Sequence, residues 1–390
     1  MSNRVLIIAA EASSALYAEQ LMRHWKLQNR TLSYFGVGSR SMEKLNFHCL
    51  GYAEEMAVMG FSEVIKHYSE IKKIFQNILS EVDKLKPDVA ILLDYPGFNL
   101  RLCKELHARN IPIVYYVSPQ IWAWKKNRVY TVKAYVTKML VVFPFEVDFY
   151  KTYEVPVKYV GHPLLDELKP EYDDKALIEL RRSRLGVQKN QKVLGLMPGS
   201  RKQELDRHLI LQLQVAEKLK TKHPDLKIMV LVAPTVSKNS IQERLGEVRI
   251  PVILLQDEPF NMISLVDGVL AASGTATLMV GLLEKPMVIM YKVSWLSAFI
   301  GRRLVKGFFG LVNLLSNKEI VPEIFQEKAT LENLSPLVEK MLFDESYRTH
   351  VIKDLVLLKT QLGDKGVTAR VAAEVESFFQ TTNTSKKELS

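Results

Sequence analysis

The chain has 390 residues, a net charge of +10 from 53 Lys+Arg against 43 Asp+Glu, and 47% hydrophobic and 25% charged residues, as in a soluble globular protein of two or three domains. No apolar run approaches the roughly 18 residues of a membrane-spanning helix, and two cysteines, Cys49 and Cys103, without CxxC spacing exclude a disulfide framework or a thiolate metal site, so a reducing compartment is expected. The positive balance admits anionic partners: nucleic acid, phospholipid head groups or phosphorylated substrates.

Val5–Ala10 opens the chain, and Glu11 interrupts the apolar stretch, so it reads as a buried strand and not as a secretory leader. Leu32–Val37, Val89–Leu93, Ile113–Val117, Met139–Val142 and Val157–Val160 follow as further buried parallel strands. Amphipathic stretches lie between most of them. Ser62–Val82 sets Val64, Ile65, Tyr68, Ile71, Phe75, Ile78, Leu79 and Val82 on one face. Such a βαβ series predicts a doubly wound α/β domain, whose ligands sit beyond the carboxyl ends of the strands. Just ahead of the Ser62–Val82 helix stand Met56, Val58, Met59 and Phe61, and its polar face carries Lys66, Lys72 and Lys73. The cluster reads either as core or as a lipid-interface element. Asp94 follows Val89–Leu93 in Asp94-Tyr95-Pro96-Gly97-Phe98-Asn99, placed as a general base or as an N-cap. Tyr116-Val117-Ser118-Pro119-Gln120-Ile121-Trp122-Ala123-Trp124, with Arg128 beyond it, puts two of the four tryptophans on one loop, as core anchors or as a platform for a sugar or acyl chain.

His162–Asp174 holds Pro163, Pro170 and acidic residues without periodicity and is the expected linker. The βα pattern then restarts with Val193–Met197, Lys227–Leu231, Val252–Leu255, Gly268–Ala271 and Pro286–Met290. Two Rossmann-like halves imply a cleft at their junction. Pro198-Gly199-Ser200-Arg201-Lys202-Gln203-Glu204 follows the first strand of this half. Ser200 is the expected cap, with Gln203 its partner, and the turn is either a phosphate site beside Arg201 or a plain capped helix. Ser273-Gly274-Thr275-Ala276-Thr277 is a second small-residue turn opening a helix after a strand. Two such turns in one half favour a diphosphate-bearing ligand. After about Thr330 the chain reads as helical, with Thr381–Ser390 a polar tail expected to fray.

Absent patterns narrow the chemistry. Gly36-Val37-Gly38-Ser39-Arg40-Ser41 lacks the third glycine of a dinucleotide fingerprint, no Walker A or HExxH pattern occurs, and no Asp-x-Asp follows a strand. Neither a catalytic metal nor a nicotinamide cofactor is expected. No RNA- or DNA-binding module is present, so nucleic acid is not an expected partner.

With these residues in view, the chain resembles the lipid-A-disaccharide synthases, bacterial glycosyltransferases, over nearly its whole length. The resemblance rests on Met56-Ala57-Val58-Met59-Gly60, Asp94-x-Pro96-x-Phe98-Asn99, Tyr116-x-Ser118-Pro119-x-x-Trp122-x-Trp124 with Arg128, Gly161-His162, Pro198-Gly199-Ser200-Arg201, Ser273-Gly274-Thr275-Ala276, and Asn313-Leu314-Leu315 with Glu319. It implies a GT-B architecture of two Rossmann-like domains facing a cleft, with C-terminal helices. It also implies inverting, metal-independent transfer of a 2,3-diacylglucosamine unit from UDP to the 6-hydroxyl of 2,3-diacylglucosamine 1-phosphate. The products are a β-1,6 disaccharide 1-phosphate and UDP, the UDP-sugar being a substrate and no cofactor being needed. Asp94 matches the family's base, and Arg201 the arginine expected at the diphosphate. Ser200, Ser273, Gly274, Thr275, Ala276 and Asn313 match nucleotide-side positions. Glu11, Ser13, Asn99, Ser118, Trp122, Trp124, Arg128 and His162 match the acceptor side of the cleft. Met56, Val58, Met59, Phe61, Ile65, Lys66, Lys72 and Lys73 match a region that meets membrane or acyl chains.

Two departures stand out. The family's Gly-Glu-x-Ser-Gly-Asp signature reads Ala10-Glu11-Ala12-Ser13-Ser14-Ala15 here, and the glutamate usual two residues after Thr277 is Met279. They keep a non-catalytic lipid- or nucleotide-binding relative in view, beside another UDP-sugar enzyme of this fold such as an epimerase or a peptidoglycan glycosyltransferase. The expected domains are 1–170 on the acceptor and membrane side, 171–345 for the UDP-sugar, 346–380 as C-terminal helices packing back across the domains, and 381–390 as tail. The expected setting is cytoplasmic, peripheral on the inner face of the cytoplasmic membrane. An anionic membrane surface is the expected partner, and a homo-oligomer is left open.

Overall fold

The structure, a computed structural model, describes residues 3–57, 68–122, 125–246, 249–292 and 307–387. Val58, Met59, Phe61, Ile65, Lys66 and Trp124 lie outside the described residues. The chain forms two compact units, Met1–Asp166 with Asp364–Ser390, and Glu167–Gly363.

The first unit runs β1 (Asn3–Ala9), α1 (Ala12–Leu27), β2 (Leu32–Gly38), β3 (Phe47–Tyr52), α2 (Ala53–Ala57), α3 (Tyr68–Leu85), β4 (Val89–Leu93), α4 (Pro96–His107), β5 (Ile113–Tyr116), α5 (Arg128–Tyr135), β6 (Lys138–Val141), α6 (Phe145–Thr152) and β7 (Val157–Tyr159). Its strands form one sheet of order β3-β2-β1-β4-β5-β6-β7, with every neighbouring pair parallel. Helices cover the strands, so central strands are apolar on both faces; all five residues of β4 are buried. β3 escaped the sequence reading because it is an edge strand, only part-buried, with His48 exposed and a register shift between Gly36 and Val37 of β2. Gly36 itself, at φ +134, stands where a Cβ would come within 2.1 Å of the Ile7 carbonyl oxygen. Its role is close strand approach, not dinucleotide binding.

The second unit runs α7 (Lys175–Arg184), β8 (Val193–Met197), α8 (Lys202–Lys222), β9 (Lys227–Leu231), α9 (Lys238–Arg244), β10 (Ile253–Leu255), α10 (Pro259–Ser264), β11 (Gly268–Ala272), α11 (Thr275–Leu282), β12 (Met287–Tyr291), α12 (Leu311–Ser316), β13 (Glu323–Phe325), α13 (Leu331–Phe343) and α14 (Glu345–Gln361). Its parallel sheet has the order β10-β9-β8-β11-β12-β13. β13, three residues at the sheet edge with a glutamate first, was too short and polar to read from sequence.

The last helix, α15 (Val367–Lys387), belongs to the first unit. Its N-terminus is held by Asp166, whose carboxylate accepts from the N–H groups of Gly366 (2.6 Å), Val367 (3.1 Å) and Thr368 (2.8 Å) and from the Thr368 hydroxyl (2.8 Å). Farther along, Glu376 accepts from Trp25 Nε1 at 3.0 Å and from Arg30. These contacts explain why the stretch 346–380, grouped in the sequence reading, divides at Gly363, α14 staying with the second unit. Helical backbone continues to Lys387, through most of the tail expected to fray. The expected linker 162–174 is better ordered than its composition suggested. Pro163–Leu165 and Pro170–Tyr172 form 3₁₀ turns, and His162, Pro163, Leu164, Leu165 and Tyr172 are buried.

Candidate active site

In the first unit the topology reverses between β1 and β4, which pair through Ala9 and Leu93. The crevice beyond such a switch point is where an open α/β sheet binds ligands. Asp94 follows β4 directly, and Glu11 stands two residues past the end of β1. Asp94 and Tyr95 both occupy the left-handed region, at φ 45 and 43, a costly conformation for non-glycine residues. The turn is braced from below. Asn99, fully buried, donates its amide to the carbonyls of Leu93 (3.1 Å) and Asp94 (2.8 Å), and the Tyr115 hydroxyl donates to the Asp94 carbonyl. Tyr95 occupies the cap position of α4, with Pro96 opening the helix. The N-cap alternative for Asp94 therefore falls away. Burial, and secondarily the Glu11 carboxylate, lift the Asp94 pKa to about 7, against a counteracting bond from the Tyr95 N–H. Tyr95 is raised by the same two causes.

Glu11 caps α1, and the buried Ser14 hydroxyl accepts from its N–H at 3.0 Å and donates to its carbonyl at 2.9 Å. Ser13 is half-buried beside it. Ser14 and Ala15, the two departures from the Gly-Asp of the signature, are both buried, so these exchanges alter what underlies the Glu11 turn.

Beyond β5 the loop is tied down by a residue the sequence reading missed. Glu146, fully buried at the start of α6, accepts from Trp122 Nε1 (3.2 Å) and from the Phe143 N–H (3.0 Å). Burial raises its pKa to about 8, opposed by these donors and by Ser118. Ser118, itself buried, shares a 2.7 Å hydrogen bond with the Tyr150 hydroxyl. Glu146 lies five residues beyond the end of β6, in the first turn of α6, so position after a strand does not single it out as it does Asp94. Arg128 stands half-buried at the first turn of α5.

Three expected site residues turn out to be internal supports. Asn99 spends its amide on the Asp94 turn. His162 is buried against Phe143 (5.5 Å, stacked) and Tyr17 (6.5 Å, edge-on), and its Nδ1 accepts from the Leu164 N–H at 3.3 Å. Burial lowers its pKa to about 3, so it is neutral. Met56 lies in the first unit's core and not in a lipid-facing cluster, an unbranched thioether filling space that a polar residue could not. Lys72 and Lys73 are exposed on α3, whose Ile71, Ile74, Phe75 and Leu79 pack on that core.

In the second unit the switch point lies between β8 and β11, paired through Met197 and Ala271. Both predicted turns sit there. Gly199, at φ +120, reverses the chain after β8. The cap of α8 is Arg201, not Ser200, and its partner is Glu204, not Gln203. The Glu204 carboxylate accepts from the N–H groups of Ser200 (2.9 Å) and Arg201 (3.3 Å), being a stronger acceptor than an amide and sitting at the third helical position. A Cβ on Gly199 would strike Glu204, which accounts for glycine there. The Arg201 side chain is 68% exposed, with Nη1 3.7 Å from Glu204, and so can turn to a ligand.

Gly274 is the cap of α11, and Gly274 and Thr275 are exposed. The first-turn N–H groups, those of Thr275 and Ala276 among them, have no carbonyl within the helix to meet, which makes this end electropositive. Ser273 donates through its hydroxyl to the Phe309 carbonyl at 3.2 Å. Asn313, expected on the nucleotide, is buried and spent. Its amide donates to the Val321 carbonyl (2.8 Å) and Glu323 (2.7 Å), and its oxygen accepts from Ile320 (2.7 Å) and Val321 (3.1 Å). Glu323 in turn accepts from the N–H groups of Phe309 (2.8 Å) and Gly310 (3.0 Å), so Asn313 shapes the loop beside Ser273. Met279 is half-buried. Among the described residues no three histidine, cysteine or acidic side chains gather as a metal site requires, and no helix is long and apolar enough to cross a membrane.

The arrangement comprises a raised-pKa carboxylate at one switch point and an arginine with an electropositive helix start at another. A family model described as lipid-A-disaccharide synthetase matches residues 5–375. The lipid-A-disaccharide synthase of Myxococcus xanthus (strain DK1622) is 35% identical over 373 residues, covering 95% of this chain and 96% of that protein. That of Anaeromyxobacter dehalogenans (strain 2CP-1 / ATCC BAA-258) is 37% identical over 377 residues, covering 96% and 97%. Among solved structures, UDP-GlcNAc 2-epimerase from Neisseria meningitidis bound to UDP-GlcNAc aligns with a TM-score of 0.61 at 12% identity, over 96% of this chain and all of that one, a likeness of fold, the GT-B fold. Sequence motifs, two parallel sheets and close relatives agree: this chain belongs to the lipid-A-disaccharide synthetase family.

Proposed function

We propose that this protein joins UDP-2,3-diacylglucosamine to 2,3-diacylglucosamine 1-phosphate, forming the β-1,6 disaccharide 1-phosphate and UDP by direct inverting displacement. The observation that carries this reading is Asp94: a carboxylate held in a left-handed turn at a switch point, with a pKa of about 7. A base so poised is ionised in half or more of molecules at neutral pH and strong enough to take a proton. Asp94 takes the proton of the acceptor 6-hydroxyl as that oxygen attacks the anomeric carbon. The bond from this carbon to the diphosphate breaks as the new one forms, inverting the centre and releasing UDP. Charge building on the departing diphosphate is met by Arg201 and by the first-turn N–H groups of α11. In this reading those donors replace a metal.

The reaction is assigned to the cytoplasmic face of the inner membrane, with the protein a peripheral visitor. The exposed Lys72 and Lys73 of α3 and the net charge of +10 favour an anionic surface. The test is a mass-spectrometric assay with both diacylated substrates, with and without chelator. Disaccharide formation unaffected by chelator is expected. UDP binding without disaccharide would instead mark a non-catalytic relative, and loss of activity in chelator would overturn the metal-free mechanism. Sedimentation with anionic vesicles is expected to weaken as salt rises.

A further inference from the structure

Helix α8 buries two polar side chains where packing alone would favour leucine. His208 and Gln212, one turn apart and beside Leu205, Leu209 and Ala216, are fully buried. Each reaches the carboxyl ends of strands. Gln212 Nε2 donates to the carbonyls of Met197 in β8 (3.2 Å) and Leu270 in β11 (3.1 Å). His208 Nδ1 lies 2.9 Å from the Pro198 carbonyl, which can only accept, so Nδ1 carries the proton. Nε2 is then the acceptor for the Lys292 N–H at 3.0 Å, just past β12, with the Lys292 carbonyl 3.2 Å away. The ring lies against Tyr291, centroids 5.4 Å apart. Burial holds the imidazole pKa below its ordinary value, consistent with this neutral tautomer. Leucine would fill the space without this penalty, for Gln212 Oε1 finds no hydrogen-bond partner among the described residues.

The turn from Pro198 to Arg201 lies beyond the ladder of β8, and Pro198 has no N–H to give. Glu204 holds its N–H groups, and His208 holds its first carbonyl. We propose that His208, seconded by Gln212, is a positioning residue for diphosphate binding: it fixes the Pro198–Arg201 turn relative to β11 and β12, and so sets where the Arg201 guanidinium stands. This rests on the UDP-binding reading above and adds residues that never touch the ligand.

The two ring nitrogens make the idea separable. In the full-length protein, His208→Asn keeps a donor where Nδ1 stands, His208→Gln keeps an amide where Nε2 stands, and His208→Leu keeps neither. Calorimetry with UDP is expected to give about tenfold weaker binding for the Gln and Leu variants, and binding within about threefold of wild type for Asn. Melting temperatures of the Asn and Gln variants are expected to fall alike, since each loses one buried bond. A purely structural role predicts affinities that follow the melting temperatures. Equal losses in Asn and Gln, or wild-type affinity in both, would overturn the proposal, and this pair decides it even where the Leu variant fails to fold. A wild-type protein that does not bind UDP would overturn the underlying reading as well, so its isotherm tells the two failures apart.

Discussion

Replacing Asp94 by asparagine should move activity and stability in opposite directions. Asparagine is among the residues that best accept positive φ, so the turn at φ 45 survives, and its side-chain oxygen still accepts from the Tyr95 N–H. What is lost is the base, worth roughly 10²–10⁴ in turnover, or about 3–5 kcal/mol. What is gained follows from the pKa. The folded state lifts Asp94 from 3.8 to about 7, so folding opposes its ionisation. Below about pH 4 the carboxyl is protonated in both states and the substitution is neutral. As pH rises towards 7, the unfolded chain releases a proton that the folded chain retains, and wild-type stability declines. Above 7 the folded wild type bears the whole cost, about 4 kcal/mol as an upper bound at about 1.4 kcal/mol per tenfold in proton affinity. Asparagine never bears it. Thermal unfolding of both proteins across about pH 4 to 9 should therefore show melting temperatures that coincide in acid and separate in favour of Asp94→Asn in base. The wild-type rate constant kcat/KM should rise through about pH 7. Disaccharide formation within about threefold of wild type in the variant, or a stability gap that ignores pH, would refute the reasoning.

Other outcomes follow from the fold. Gly36→Ala places a Cβ 2.1 Å from the Ile7 carbonyl at φ +134, and the expected loss is about 3 kcal/mol or more, read as insoluble expression or a collapsed melting temperature. Asp166→Ala strips four donors of their acceptor at the start of α15 and should cost about 2 kcal/mol in chemical denaturation, with Asp166→Asn milder. Met56→Lys should lower stability by about 3 kcal/mol through an unpaired buried ammonium, while Lys72→Glu with Lys73→Glu should leave stability within about 0.5 kcal/mol and weaken vesicle sedimentation. Arg201→Ala should weaken UDP binding by calorimetry, and unchanged affinity would count against its diphosphate role.

Much of the architecture was legible in the chain because buried parallel strands have little choice of composition. Val89–Leu93 and Gly268–Ala271 announce themselves as continuous small or apolar runs, and β4 and β11 fall on them almost to the residue. The placement of Asp94, Arg201 and the Ser273–Ala276 turn was legible for a related reason: they stand just beyond strands, at the sheet end where this fold binds its ligands, and position after a strand is a linear property. The edge strands β3 and β13 were not, since an edge is half-exposed and only its neighbour makes it a strand.

Tertiary structure alone settled which polar residues are spent bracing the turns. Asn99, Asn313 and His162 carry the side chains of site residues and lie next to site motifs, yet their hydrogen bonds or rings are spent inside the protein. Glu146, His208 and Gln212 drew no notice in the sequence, and Glu204 was passed over for Gln203, yet they hold the loops on which the proposed chemistry rests. A sequence states that a donor or acceptor exists at a position. Whether water, a ligand or a neighbouring carbonyl takes it depends on which segments the fold brings within about 3 Å, and that distance is set by packing across the sheet, far from the residue in sequence.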